Sequence, residues 1–198
     1  MERTILHLDL NTFFVSVERL HEPRLNGLPV LIGADSDRGV VASCSYEARA
    51  FGVRSAMPMR MAKQLCPEAI IIRGDSGAYL KKSDEVTDVI REHMPMFEKS
   101  SVDEFYVDLT GTDRFHGSWK LANELRQRIA HETGLPNSIG LSINKTVSKV
   151  ATGEAKHSKG ALQVPYGTEK PFLAPMPIER IPGVGDKTAH LLRSMGVS

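Results

Sequence analysis

Three acidic residues, far apart in the sequence, are the side chains whose type and placement could do chemistry. Asp9 follows a nearly continuous apolar run, where an unpaired carboxylate would be costly, and Asp103-Glu104 occupy a polar break between two β-rich stretches. Carboxylates that converge repel one another unless cations neutralise them. With no His or Cys cluster to suggest zinc, an all-oxygen set points to Mg²⁺ or Mn²⁺. Two such ions roughly 3.5–4 Å apart can stabilise the attacking and the leaving oxygen of an in-line phosphoryl transfer. The alternative on the residues alone is that Asp9 caps a helix and Asp103-Glu104 form a solvated turn. Asp108 reads as a strand-end residue.

The elements that would position these groups follow from periodicity. Residues 4–10 alternate Ile5, His7 and Asp9 against Leu6, Leu8 and Leu10, a buried strand that delivers Asp9 at its end. Asn11 or Thr12 then caps a helix over 13–20, closed by Glu22-Pro23. Strands are expected at 29–32, 40–43 and 69–73, with helices over 45–51 and 57–65. A helix over 78–93 carries Tyr79, Val86, Val89 and Ile90 at helical spacing. Strands at 96–100 and 104–109 form a hairpin through Ser101-Val102-Asp103. A helix runs from Ser118 to Gly134, then a strand at 138–142 and a helix over 144–152.

Without the excursion at 23–73, the order is strand, helix, strand, strand, helix, strand. That is the α+β, ferredoxin-like βαββαβ arrangement with a small α/β subdomain inserted, and it sets the first and third strands side by side. Asp9 would then meet Asp103 and Glu104. From Pro165 the chain turns rich in Pro and Gly, a linker into a third element. There Ile181-Pro182-Gly183-Val184-Gly185, followed by residues 186–195, resembles a helix-hairpin-helix.

Composition sets bounds on the rest. A chain of 198 residues, 41% hydrophobic, can bury a core in one domain or two small ones. Lys and Arg total 25 against 24 Asp and Glu, but residues 140–198 hold eight basic against four acidic residues, so the anion-attracting part lies late. The two cysteines, Cys44 and Cys66, have no CxxC spacing, and no signal peptide or spanning run is visible; a reducing cytoplasm is expected.

The segments DLNTFFVSVE, VVASCSYEARAFGVRSAMPMRMAKQLCP and SVDEFYVDLTG, in this order, resemble the palm and fingers motifs of Y-family translesion DNA polymerases, in particular the DinB (DNA polymerase IV) branch. The resemblance covers nearly the whole chain. It implies a catalytic palm at 1–20 and 75–166, fingers at 21–74 and a partial thumb at 167–198. Asp9, Asp103 and Glu104 would be catalytic metal ligands, joined by the main-chain carbonyl of Leu10 where relatives usually have Met or Phe. A primer 3′-hydroxyl would attack the α-phosphate of a deoxynucleoside triphosphate.

The resemblance makes Phe14 the steric gate against a 2′-hydroxyl, with Phe13 facing the nucleotide-binding floor or the core. It makes Ser43, Tyr46 and Arg49 triphosphate ligands. Lys156 matches the lysine that reaches the β- and γ-phosphates. Relatives read Lys-Pro-Asn-Gly there, whereas this chain has Lys156-His157-Ser158-Lys159-Gly160, which makes Lys159 a rival. Lys145 and Lys149 would face DNA phosphates or form a solvated helix face. Gly183, Gly185 and Lys187 would bring the hairpin against DNA.

Relatives continue into a little-finger domain and a tail that binds a sliding clamp, so a monomeric fragment with low fidelity and low processivity is expected, working on primer-template DNA and away from membranes. Three rival functions are a catalytically silent polymerase-like accessory subunit, a nucleotidyl cyclase-like enzyme and a pure DNA-binding module. The first would lack the acidic ligands, the second the Tyr46 and Arg49 insert, and the third would leave the carboxylates idle.

Overall fold

Nearly continuous burial along Ile5–Leu10, with Leu6 and Leu8 wholly enclosed, makes the first strand the spine of the larger sheet. The structure is a computed structural model that describes residues 2–36, 38–112 and 117–197. In chain order the first half contains β1 (Ile5–Leu10), α1 (Phe13–His21), β2 (Val30–Ile32), β3 (Ser43–Cys44), α2 (Tyr46–Ala50), α3 (Met59–Leu65), β4 (Ile70–Ile72) and α4 (Ser76–His93). The second half contains β5 (Phe97–Lys99), β6 (Glu104–Asp108), α5 (Ser118–Thr133), β7 (Asn137–Ser142), α6 (Lys145–Ala155), β8 (Ala161–Gln163), α7 (Glu169–Leu173) and α8 (Asp186–Ser194).

The chain divides into two compact units, one formed by Met1–Asp9, Val89–Ala130 and Asn137–Ser198, the other by Leu10–Asp88 and His131–Pro136. In the first, five strands are ordered β5-β6-β1-β7-β8. The strand order through β7 is that of the expected βαββαβ sheet. β8 is an addition, lying parallel to β7 with Ile139 opposite Ala161. Its three residues are too short and too mixed to announce a strand.

Gly140 explains how closely α6 lies against β7. A Cβ built there would come within 2.2 Å of the Ser148 carbonyl oxygen and 2.5 Å of the Thr152 nitrogen. Only glycine permits that backbone approach. Asn144 caps α6, its side chain accepting from the Val147 amide at 2.9 Å. The helix then runs to Ala155, past the expected end at residue 152.

In the second unit β2 pairs parallel with β4 and antiparallel with β3. Leu31, Val41, Cys44, Ala48, Met59 and Cys66 form its core, and both cysteines are free thiols. The strand expected at 40–43 is instead the two-residue Ser43–Cys44, overlapping it only at Ser43. Val41 donates its amide to Met57 rather than to β2, and Val40 only bridges to Pro58. Among the described residues no helix is long and apolar enough to cross a membrane.

Candidate active site

In the first unit β1 and β6 run antiparallel with Asp9 directly opposite Glu104. Like charges so placed repel. Asp103 lies just before β6, its Oδ1 accepting from the Ser101 hydroxyl at 2.6 Å. Two lysines provide the opposing charge: Lys156 Nζ is 2.6 Å from Asp9 Oδ1, and Lys149 Nζ is 2.7 Å from Glu104 Oε2. Burial pushes the Asp9 carboxyl above its usual range, Lys156 opposes that, and the charges of Asp103 and Glu104 add to it. Asp9 therefore feels the charges of the other two carboxylates.

The three carboxylates do not form a closed cage. Among the described residues no group of three or more His, Cys, Asp and Glu side chains is gathered to hold a metal ion. Asp9 and Glu104 stand together in strand register, and each pairs with a lysine. Their chemistry nonetheless suits a hard divalent ion: the donors are carboxylate oxygens and no thiol is among them.

His7 shares the face of β1 that carries Asp9, and sequence reading gave it no role. It is 1% exposed. Nδ1 lies 2.9 Å from Thr152 Oγ1, while Nε2 sits 3.9 Å from Glu104 Oε1 and is buried without a hydrogen-bond partner. Burial, with Lys149 and Lys156 adding to it, lowers its pKa to about 3. The ring is neutral, so its contact with Glu104 is not an ion pair. Two signals were available: the period-2 alternation of β1, and the placing of Lys145, Lys149, Thr152 and Lys156 on one stripe of α6 and its cap.

Lys156, not Lys159, reaches the carboxylates. The exposed Lys159 has its carbonyl bound by Arg126 Nη2 at 3.3 Å, which anchors the loop carrying both lysines. Lys149 belongs to the acidic site rather than to a free basic face. Lys145 pairs with Glu98 and lies 5.0 Å from the centre of the Tyr106 ring. Asp108 ends β6, its side chain accepting from the Thr110 amide at 2.9 Å, as expected of a strand-end residue. At the hairpin Gly183 has φ of 88°, Gly185 starts α8 without any side-chain cap, and Lys187 is exposed.

In the second unit Phe14 stacks on Tyr79, with ring centroids 4.3 Å apart and planes at 13°. Tyr79 is 5% exposed and donates its hydroxyl to Glu18 at 2.5 Å, a second residue that sequence reading took only for core. Phe13 is 3% exposed and packs in the core. The Leu10 side chain is also buried. Ser43 is buried in β3, Tyr46 is exposed, and the Arg49 guanidinium lies 5.4 Å from the Tyr46 ring centre. Arg49 Nε is buried with no hydrogen-bond partner, an orphaned donor that suits an anion.

The model of the impB/mucB/samB family matches residues 8–153, a span that includes all three carboxylates. The chain belongs to the impB/mucB/samB family. This is the Y-family that its motifs resemble, and the family's helix-hairpin-helix motif matches residues 166–197. Among impB/mucB/samB relatives, the DNA polymerase IV of Dehalococcoides mccartyi strain 195 is 42% identical over 99% of this chain and 50% of its own length. That of Treponema denticola is 41% identical over 100% of this chain and likewise 50% of its own length. The chain thus spans about half the length of these curated relatives. Among solved structures, DinB from Sulfolobus solfataricus matches with a TM-score of 0.89 at 28% identity, over 98% of this chain and 58% of that one. An insertion ternary complex of Dbh DNA polymerase matches at 0.90, also at 28% identity and with the same coverage.

Proposed function

We propose that this chain is the catalytic part of a template-directed DNA polymerase of the translesion type, extending a primer 3′ end with deoxynucleotides. The observation that carries this reading is the cross-strand placement of Asp9 and Glu104 beside Asp103, backed by Lys149 and Lys156. Membership of the family and the names of its relatives support it.

Asp9, Asp103 and Glu104 hold the divalent ions, Mg²⁺ or Mn²⁺, with the Leu10 carbonyl as a main-chain ligand. Held there, a pair of ions would supply the charge stabilisation that phosphoryl transfer needs. Lys156, given up by Asp9, becomes a cation for the β- and γ-phosphates. In the second unit Arg49, Tyr46 and Ser43 hold the triphosphate, the guanidinium presenting several donors in a fixed fork. Phe14, backed by Tyr79, excludes a 2′-hydroxyl.

In domain terms we assign palm to 1–20 and 75–166, fingers to 21–74 and partial thumb to 167–198. Lys145, Gly183, Gly185 and Lys187 contact DNA phosphates, independent of sequence. A sliding clamp is a partner of the full-length protein. The deciding experiment is primer extension with Mg²⁺ by the parent and by Asp103→Ala: synthesis by the parent that vanishes in the variant supports the assignment, and synthesis retained by the variant removes Asp103 from the site.

A further inference from the structure

The buried edge of His7 that faces Glu104 is a polar group of the acidic site with no task in the proposed function. We propose that His7 is a positioning residue for Glu104, its Nε2–H holding Glu104 Oε1 so that Oε2 is left to a divalent ion. This rests on the reading of Asp9, Asp103 and Glu104 as a divalent-metal site.

The hydroxyl of Thr152 and the facing oxygen of Glu104 together set the tautomer. Its Oγ1 lies 2.9 Å from His7 Nδ1, 3.1 Å from the His7 carbonyl oxygen and 3.0 Å from the Ser148 carbonyl oxygen. The hydroxyl has one proton to give. If that proton goes to a carbonyl, Nδ1–H donates to Oγ1 and Nε2 turns a bare lone pair toward a carboxylate oxygen. Two electron-rich atoms then face each other at 3.9 Å in a buried site where Nε2 has no other partner. If the proton goes to Nδ1, Nε2 carries the hydrogen and faces an acceptor. The second arrangement turns repulsion into attraction, which is worth more in a buried site than in water.

The two oxygens of Glu104 are also unlike. Oε2 holds Lys149 at 2.7 Å, a cation that an incoming ion can replace, whereas Oε1 faces His7. A shift of about 1 Å brings the Nε2–Oε1 pair within hydrogen-bond range. Ligating carboxylates are commonly fixed by such outer partners. His7 is in place to do this because Gly140 lets α6 lie close enough for Thr152 to reach the ring.

The test uses the full chain with ¹⁵N-labelled histidine. In the metal-free protein the His7 resonances are expected to show hydrogen on Nε2 and a bare Nδ1; the opposite tautomer overturns the proposal, and this readout stands whether or not any variant folds. Mn²⁺ titration followed by EPR gives the second arm. H7F is expected to weaken Mn²⁺ binding by about 10–100-fold, and H7Q, whose amide can donate at similar reach, to stay within about threefold of the parent. Parent-like binding by H7F, with D103A weakened, sinks the role of His7 alone. Equal binding by the parent and D103A sinks the metal-site reading and His7 together.

Discussion

Asp9 and Glu104 stand opposite each other where β1 and β6 meet, and each grips a different lysine from one stripe of α6 and its cap. Two acids placed this way cannot be left bare. The lysines make the site tolerable without metal, and burial still holds the Asp9 carboxyl above its ordinary range.

Asp9→Asn should therefore raise stability while destroying activity. A carboxyl whose folded pKa is raised makes its charged form a cost that is full above that pKa and vanishes below the unfolded value. The amide removes the charge with little change of shape. At neutral pH without metal the Tm of D9N is expected to exceed the parent's, while primer extension falls at least about 100-fold. A Tm at or below the parent's would mean that pairing with Lys156 outweighs the burial cost.

Lys156 and Lys159 are separable by substitution. Lys156→Ala should raise the KM for deoxynucleotides about tenfold or more, whereas Lys159→Ala should stay within about twofold of the parent, since only the first removes a charge-assisted contact. Steady-state kinetics on one primer-template decide it. The reverse order would assign the triphosphate to Lys159.

The stacking of Phe14 on Tyr79 leaves the Phe14 ring, the proposed gate, no room to retreat on that side. Removing the ring opens the space. Phe14→Ala should lower the preference for deoxy- over ribonucleotides by about 10–100-fold, read as the ratio of kcat/KM values. Unchanged selectivity would move the gate elsewhere.

Tyr79 gives the second unit a pH-dependent term. Burial first, then the hydrogen bond and charge of Glu18, hold its phenol well above the usual range. The unfolded chain loses this proton from about pH 10 while the folded one keeps it, so stability must fall as pH rises past that point, by up to about 1.4 kcal/mol per pH unit. Urea melts above about pH 10 should show a steeper decline for the parent than for Tyr79→Phe. Parallel declines would show that the phenol ionises alike in both states.

How far the site could be read ahead depended on whether its signal was local. The alternation of residues 4–10 placed Asp9 at a strand end, and the strand order of a βαββαβ unit placed Glu104 beside it; both hold. The placing of Lys149 on Glu104 was not read, because a lysine on a helix looks the same whether it meets a carboxylate or a phosphate. His7 passed for one more residue of a buried strand, since only the approach of α6 over Gly140 turns it into part of the site. Phe13 and Phe14 are neighbours of the same type, and only packing distinguishes the buried Phe13 from Phe14 stacked on Tyr79. β8 went unread because three residues at a sheet edge carry no period.

The pairing of acids with resident ammonium groups also bears on how the protein is made. A zinc finger must find its ion before it can hold a shape, and a chelator unravels it. On the proposed reading a divalent ion would replace the lysines on a scaffold formed without it, so EDTA is expected to empty the site and leave the fold standing.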